Sequence, residues 1–337
     1  MNLLSKLFPR RKDSHLLYTE ALERMLIGDT DSAFWKLREL VKGDTNNVSA
    51  YIKLGDILRE KDKGEQAVKI HQSLIFRRNL RTEVKIEIYR SLANDYFQMN
   101  QFPRAEENAK RILRLDRKNE WAAKFLVKIC ERRKRWQDAS LYLKKLERIT
   151  GEPDLRNHAR YIMMQGRENE DRGEIEQAKN CYLKAVKTDE QFADPHLYLG
   201  NIFQREKDLE KAVEHWMKFA EKSAGSGKQI YVRLEKALFE LGRFSDVEEF
   251  YRKLMSADGG NTDAVSGLVN VMAARGEYDQ ALTLVDEVLL RNNRSIRARL
   301  AKMKLALREI QKDQLAAEID EIVDLIHDGK STPVRSS

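Results

Sequence analysis

The chain has 337 residues, 34% of them charged and 42% hydrophobic, with only 16 Gly and 5 Pro. That balance suits a soluble, helix-rich protein long enough for one extended array or two ordinary domains. It holds no apolar run near the roughly 18 residues that span a bilayer and no secretory signal, and its two cysteines, Cys130 and Cys181, have no Cys-x-x-Cys partner, which excludes a disulfide framework or zinc ribbon. The cytoplasm is therefore the expected compartment, both cysteines are read as small buried hydrophobes, and the net charge of +8 permits acidic partners without specifying nucleic acid.

Residues 1–13 form a basic tail with Lys6, Arg10, Arg11 and Lys12, and beyond it one unit repeats. In the stretch Val48–Leu80, Tyr51, Leu54, Gly55 and Leu58 precede the turn-forming Asp62-Lys-Gly64, and Ala67, His71 and Leu74 follow it. Apolar residues thus stand at helical spacing on both sides of a turn, with a small residue in each helix where the two cross. The small residue of the second helix recurs as Ala33, Ala67, Ala105, Ala139, Ala178, Ala212, Val247 and Ala281, at separations of 34, 38, 34, 39, 34, 35 and 34. A period of 34 is the spacing of tetratricopeptide hairpins. Five residues before each small residue lies the turn: Gly28, Asp62, Asn100, Lys134, Gly173, Lys207, Gly242 and Gly276.

The pattern predicts an all-α, right-handed superhelical solenoid of eight hairpins, at about 14–47, 48–81, 86–119, 120–153, 159–192, 193–226, 228–261 and 262–295. Pro103 falls in the first turn of the third hairpin's second helix, where a missing amide proton is tolerated. The fourth hairpin replaces aromatic packing positions with Ala123, Leu126 and Val127. Gly166 and Gly200 take the small position of the first helix in the fifth and sixth hairpins, and Tyr182, Trp216 and Tyr251 take the large position of the second helix, read as packing between hairpins. Gly225-Ser-Gly227-Lys228 lacks the glycine and strand of a phosphate loop and reads as a linker. Residues 296–328 keep a helical pattern with charge on many faces, as a capping element requires, and 329–337 read as a disordered tail.

Catalysis needs convergent groups, and the histidines are too scattered to form a triad or metal site. His71 replaces a large apolar residue at the hairpin seam and reads as a hydrogen-bonded core histidine. His196 and His215 lie on opposite helices of one hairpin, with no third ligand suggested. No enzyme, metal or cofactor is expected.

Binding remains. In a stack of such hairpins the first helices line a concave groove, and their inward positions are Arg59; Arg90, Asn94 and Phe97; Trp121, Lys124 and Lys128; Arg160 and Arg167; Asn201 and Gln204; Lys236; and Asn270. An asparagine here can donate to and accept from the backbone of an extended peptide, and neighbouring Lys and Arg can pair with its carboxylates. The expected partners are therefore extended or acidic segments of other proteins. Arg90 with Asn94, one turn apart, resembles half of the carboxylate clamp of chaperone-binding tetratricopeptide domains. A second reading comes from Arg104–Arg135, where 12 Lys or Arg stand against 5 Asp or Glu. That stretch offers a surface for RNA or anionic lipid headgroups, with Arg132-Arg133-Lys134-Arg135 at a hairpin turn.

Over about residues 14 to 107 the chain resembles the bacterial lipopolysaccharide assembly protein B family. The residues are Tyr18 and Ala21, Asp44-Thr45 with Val48 and Ala50, Leu54-Gly55 with Arg59, Ala67 with Ile70-His71-Gln72 and Leu74, then Leu92-Ala93, Asp95-Tyr96 and Arg104-Ala105-Glu106. The resemblance implies a non-catalytic cytoplasmic scaffold at the inner membrane that regulates lipopolysaccharide synthesis by acting with a membrane protease on the first committed deacetylase of lipid A synthesis. Members also have an N-terminal membrane helix and a C-terminal four-cysteine rubredoxin-type zinc module. Here the first residues offer Leu3, Leu4, Leu7 and Phe8 ahead of Pro9-Arg10-Arg11-Lys12, a short basic segment suited to weak contact with an anionic membrane surface.

Overall fold

A helix with a wide apolar stripe cannot bury it alone, so paired helices stack on further pairs. The computed structural model describes residues 14–223, 229–257 and 261–306, with positions 319, 322, 323 and 326. The expected basic tail, the Gly225–Lys228 linker, most of the expected capping element beyond 306 and the expected tail 329–337 lie outside the described residues. Among the described residues the fold is all helical, with seventeen α-helices and no strand. It divides into two compact units, Met1–Gln165 and Gly166–Ser337.

In the first unit α1 (Ser14–Leu26) pairs with α2 (Thr30–Gly43), α3 (Val48–Glu60) with α4 (Gly64–Ile75), α5 (Thr82–Gln98) with α6 (Phe102–Leu115), and α7 (Glu120–Arg132) with α8 (Trp136–Thr150). Helix α9 spans Leu155–Asp171. Each pair also packs on the next, and α3 reaches α5 directly, so first helices of adjacent hairpins meet along one face. Ile52, Leu74, Ile88, Leu92, Ile112 and Leu126 form one continuous core there.

In the second unit follow α10 (Ile175–Thr188), the pair α11 (Asp194–Arg205) and α12 (Leu209–Lys222), the pair α13 (Tyr231–Glu240) and α14 (Phe244–Ala257), and the pair α15 (Thr262–Ala274) and α16 (Tyr278–Arg291). Helix α17 (Ile296–Ala306) packs against both α15 and α16.

The turns and crossings have local causes. All eight turn residues have left-handed backbone: Gly28, Gly173, Gly242 and Gly276 at φ 69 to 82°, and Asp62, Asn100, Lys134 and Lys207 at φ 54 to 63°. The two lysines adopt this conformation with a β-carbon, a strain of roughly 1 kcal/mol that hairpin packing outweighs. The eight small residues of the second helices, from Ala33 to Ala281, are all fully buried. Asn47, Asn119 and Asn261 cap the first helices α3, α7 and α15, their side-chain oxygens accepting from Ala50, Ala122 and Ala264 amides at 3.0, 3.0 and 3.1 Å.

Glycine lets the paired helices approach. A β-carbon on Gly200 would lie 2.3 Å from Trp216 Cδ1, and one on Gly166 would lie 2.7 Å from Tyr182 Cε1. Trp216 therefore seats against Gly200 of its own hairpin. Tyr182 seats against Gly166 and also stacks on Tyr198 of α11, with centroids 5.2 Å apart. Tyr251 of α14 meets Gly267 of the following hairpin.

Candidate functional site

The first-helix face of the first unit carries a layered set of aromatic and cationic side chains. Trp121 stacks on Phe125 with centroids 4.7 Å apart, and Phe125 lies 5.3 Å from Phe97, which in turn meets Phe102 edge-on at 5.4 Å. The Arg90 guanidinium sits 4.9 Å from the Trp121 ring, and the Lys128 ammonium 4.7 Å from the Phe97 ring. Arg90, Phe97, Trp121 and Lys128 thus form one assembly drawn from α5 and α7. Asn94 is half-buried one turn beyond Arg90 on α5. The cause is helical spacing: residues seven apart lie on one face two turns along, so α5 presents Arg90 and Phe97 and α7 presents Trp121 and Lys128.

The other cations predicted for this face have partners. Lys124 pairs with Glu120 on its own helix. Arg160 pairs with Glu131 and donates its Nε to Asn157 Oδ1 at 2.9 Å, while Tyr161 Oη donates to the same Glu131 at 2.7 Å. Arg59 belongs to a buried network that the sequence reading did not contain. Its guanidinium reaches Asp56 Oδ1 at 2.7 Å and Asp95 Oδ1 at 2.9 Å. Asp95 Oδ2 faces His71 Nδ1 at 2.6 Å, His71 Nε2 lies 3.0 Å from the Ile52 carbonyl, and Ser91 Oγ donates to Asp56 at 3.0 Å. His71 and Asp95 are wholly buried. Their role is to lock three helices together, and Arg59 is held inside that lock.

In the second unit the predicted residues are spread out. Arg167 is exposed, 5.5 Å above the Tyr198 ring. Asn201 Oδ1 accepts from Trp216 Nε1 and from Arg233, each at 3.2 Å, which fixes the amide orientation and points its NH2 away from those donors. Gln204 and Lys236 are exposed. Asn270 accepts from Lys304 at 3.1 Å and lines a cleft of about 300 Å³ whose walls include Val269, Ala273, Ala301 and Leu305.

The basic turn at Arg132–Arg135 is folded back on an acid. Glu106 of α6 is buried and receives Lys110 at 2.7 Å, Arg133 at 3.0 Å and Arg135. Burial alone would raise its carboxyl, but the Lys110 and Arg135 contacts hold it below the ordinary range. Two of the four cations in the run are therefore directed inward. Among the described residues no group of three or more His, Cys, Asp or Glu side chains is placed to hold a metal ion, and no helix is long and apolar enough to cross a membrane.

Tetratricopeptide repeat models match residues 90–152, 166–207 and 238–305. Together with the hairpins these matches define the class: the chain is a tetratricopeptide-repeat protein with a solenoid fold, an architecture that serves as a protein-interaction scaffold. It resembles lipopolysaccharide assembly protein B of Escherichia coli (strain K12), to which it is 21% identical over 275 residues, 82% of this chain and 70% of that protein. Among solved structures, a tetratricopeptide repeat protein from Parabacteroides merdae ATCC 43184 superposes with TM-score 0.41 and 13% identity, covering 87% of this chain and 98% of the other. The structure of Naa15/Naa10 bound to HypK-THB matches with TM-score 0.44 and 14% identity, covering 94% of this chain, which spans 47% of the matched chain's length.

Proposed function

We propose that the first-helix face of the first unit binds an extended, acidic segment of another protein. The observation that carries this is the state of Arg90 and Lys128. Each rests over an aromatic ring, and neither has a carboxylate partner among the described residues. A ring beneath a cation holds it in place and removes water from one side without neutralising it. A partner's carboxylate can then pair with a charge that is already positioned, which lowers the ordering entropy of binding. Asn94, between these cations, holds the partner's backbone through its amide.

The second unit offers a separate set, with Arg167, Gln204 and Lys236 exposed and Asn201 and Asn270 held by their neighbours. Two such surfaces on one chain bring two partners to a raised effective concentration without any catalytic step. The resemblance to lipopolysaccharide assembly protein B supports placing this scaffold in lipopolysaccharide assembly, in the cytoplasm or at the inner face of the membrane, with a protease among its partners.

Selection of displayed random peptides on the purified chain tests the reading. Enrichment of extended sequences rich in Asp and Glu is expected. A selected pool with no acidic bias, or one unchanged when Arg90 and Lys128 are both replaced by Ala, would contradict it.

A further inference from the structure

A second surface in the first unit has no part in the reading above. An open cleft of about 390 Å³ is walled by five cations, Arg117 and Lys118 from the α6–α7 turn and Lys144, Lys145 and Arg148 from α8, with no acidic residue in the lining. None of the five has an ion-pair or hydrogen-bond partner among the described side chains. The nearby acids are engaged elsewhere. Asp116 accepts the Lys118 backbone amide at 3.0 Å, Asp138 pairs with Arg135 at 3.1 Å, and Glu147 pairs with His158 at 3.0 Å and accepts the Asp154 amide at 2.7 Å.

Two comparable clefts in the second unit show what a second helix normally does with its outer charges. The cleft on α12 mixes Glu210, Glu214 and Glu221 with Lys211 and Lys218, and Lys218 pairs with Glu214 while Lys211 pairs with Asp208 at 2.6 Å. The cleft on α14 alternates Glu248 and Glu249 with Arg252 and Lys253, paired at 2.8 and 3.0 Å. A merely solvated helix face looks like these, because opposite charges four residues apart stabilise a helix and like charges destabilise it. On α8 the same spacing holds Lys144 and Arg148, two like charges with no acid in the cleft lining to offset them.

Apolar residues accompany the cations. Leu141 is 64% exposed on the same α8 face, one turn before Lys144 and Lys145, and Ile149 also lines the cleft. No aromatic side chain lines it, so it lacks the stacking platform that single-stranded nucleic acid uses. Clustered Lys and Arg around a protruding aliphatic residue fit a bilayer surface, where the cations meet phosphate headgroups and the leucine enters the acyl boundary. We infer that the α8 face, through Arg117, Lys118, Lys144, Lys145, Arg148 and Leu141, docks the protein on a membrane surface bearing anionic phospholipid headgroups.

Co-sedimentation of the full chain with vesicles tests this. Binding is expected to vesicles of phosphatidylglycerol and phosphatidylcholine but not of phosphatidylcholine alone, and to fall at least tenfold between 50 mM and 500 mM salt. Charge reversal at Lys144, Lys145 and Arg148 together is expected to weaken it at least tenfold, and Leu141→Ser several-fold, with helix content unchanged by circular dichroism. Reversal of three cations of the balanced clefts, Lys211, Lys218 and Arg252, is expected to leave binding within twofold and controls for total charge and folding. Equal losses in the two triple variants, no effect of Leu141→Ser, or retardation of an RNA oligomer in place of vesicle binding would each overturn the inference.

Discussion

His71 Nδ1 and Asp95 Oδ2 lie 2.6 Å apart, both side chains wholly buried, in a network that ties α4 to α5 and, through Arg59, to α3. Every polar atom of the histidine ring faces an acceptor, and both oxygens of Asp95 face donors. Removing one member of such a set leaves the others buried and uncompensated. Asp95→Ala is therefore expected to destabilise the first unit by roughly 3–5 kcal/mol, read from the denaturant midpoint at unchanged slope. A loss below about 1 kcal/mol would mean the network contributes no cohesion.

Gly200 tests the helix crossing. Its β-carbon would meet Trp216 at 2.3 Å, and Trp216 is fully buried with nowhere to retreat. Gly200→Ala should cost about 1–3 kcal/mol despite alanine's better helix propensity, measured by thermal or urea unfolding. A neutral or stabilising result would show that the α11–α12 crossing is looser than described.

The hairpin α11–α12 also carries a pH dependence. His196 Nδ1 and His215 Nδ1 are 2.9 Å apart, so one ring donates and the other accepts. Burial, then the neighbouring His215 and Lys218, push His196 down from 6.5 to about 4, and burial likewise lowers His215. For a base with a lowered folded-state pKa, the unfolded chain gains its proton first as the pH falls. The stabilisation is therefore complete above about pH 6.5 and is lost as the pH falls to about 4, by about 3 kcal/mol for His196 alone. Hydrogen exchange of α11 and α12 amides at pH 7, 5.5 and 4.5 checks this, with His196→Leu expected to remove most of the pH dependence.

The cysteines make a chemical prediction. Burial pushes the Cys130 thiol up to about 11; Cys181, expected to be buried as well, is only half-buried, and that partial burial raises its thiol too. The nucleophile is the thiolate, so the native protein at pH 8 should alkylate slowly at both positions. Mass spectrometry after iodoacetamide treatment should show Cys130 modified only with denaturant present. Rapid labelling in the native state would contradict its burial.

The repeat was legible because its markers are local. A residue at positive φ, or a small residue at a helix crossing, is dictated by backbone within one hairpin, so Asp62, Gly276 and Ala212 could be found from spacing alone. The cations were harder. Arg59 reaches Asp95 across 36 positions, and Arg160 pairs with Glu131 from 29 positions earlier. No periodicity states which long side chains find acids on a neighbouring hairpin, so Arg59 and Arg160 looked as available as Arg90 and Lys128, whereas the Lys124–Glu120 pair, four residues apart on α7, was open to a reading from spacing. One signal did point to the network: Asp95 lies seven residues after the core residue Ile88, so an acid stands on a buried stripe, with an unusual histidine at the facing seam. The aromatic support under Arg90 and Lys128 likewise needed Trp121 and Phe97 to meet through Phe125 across two helices.

The central claim is that Arg90 and Lys128 read carboxylates on a partner segment. Its most direct measurement is the affinity of an acidic peptide taken from the displayed-peptide selection, by fluorescence anisotropy, for the native chain, Arg90→Ala, Lys128→Ala and Lys124→Ala. Loss of about tenfold, roughly 1.4 kcal/mol, is expected for Arg90→Ala and for Lys128→Ala, with little change for the internally paired Lys124. Equal affinity across all four proteins would contradict it.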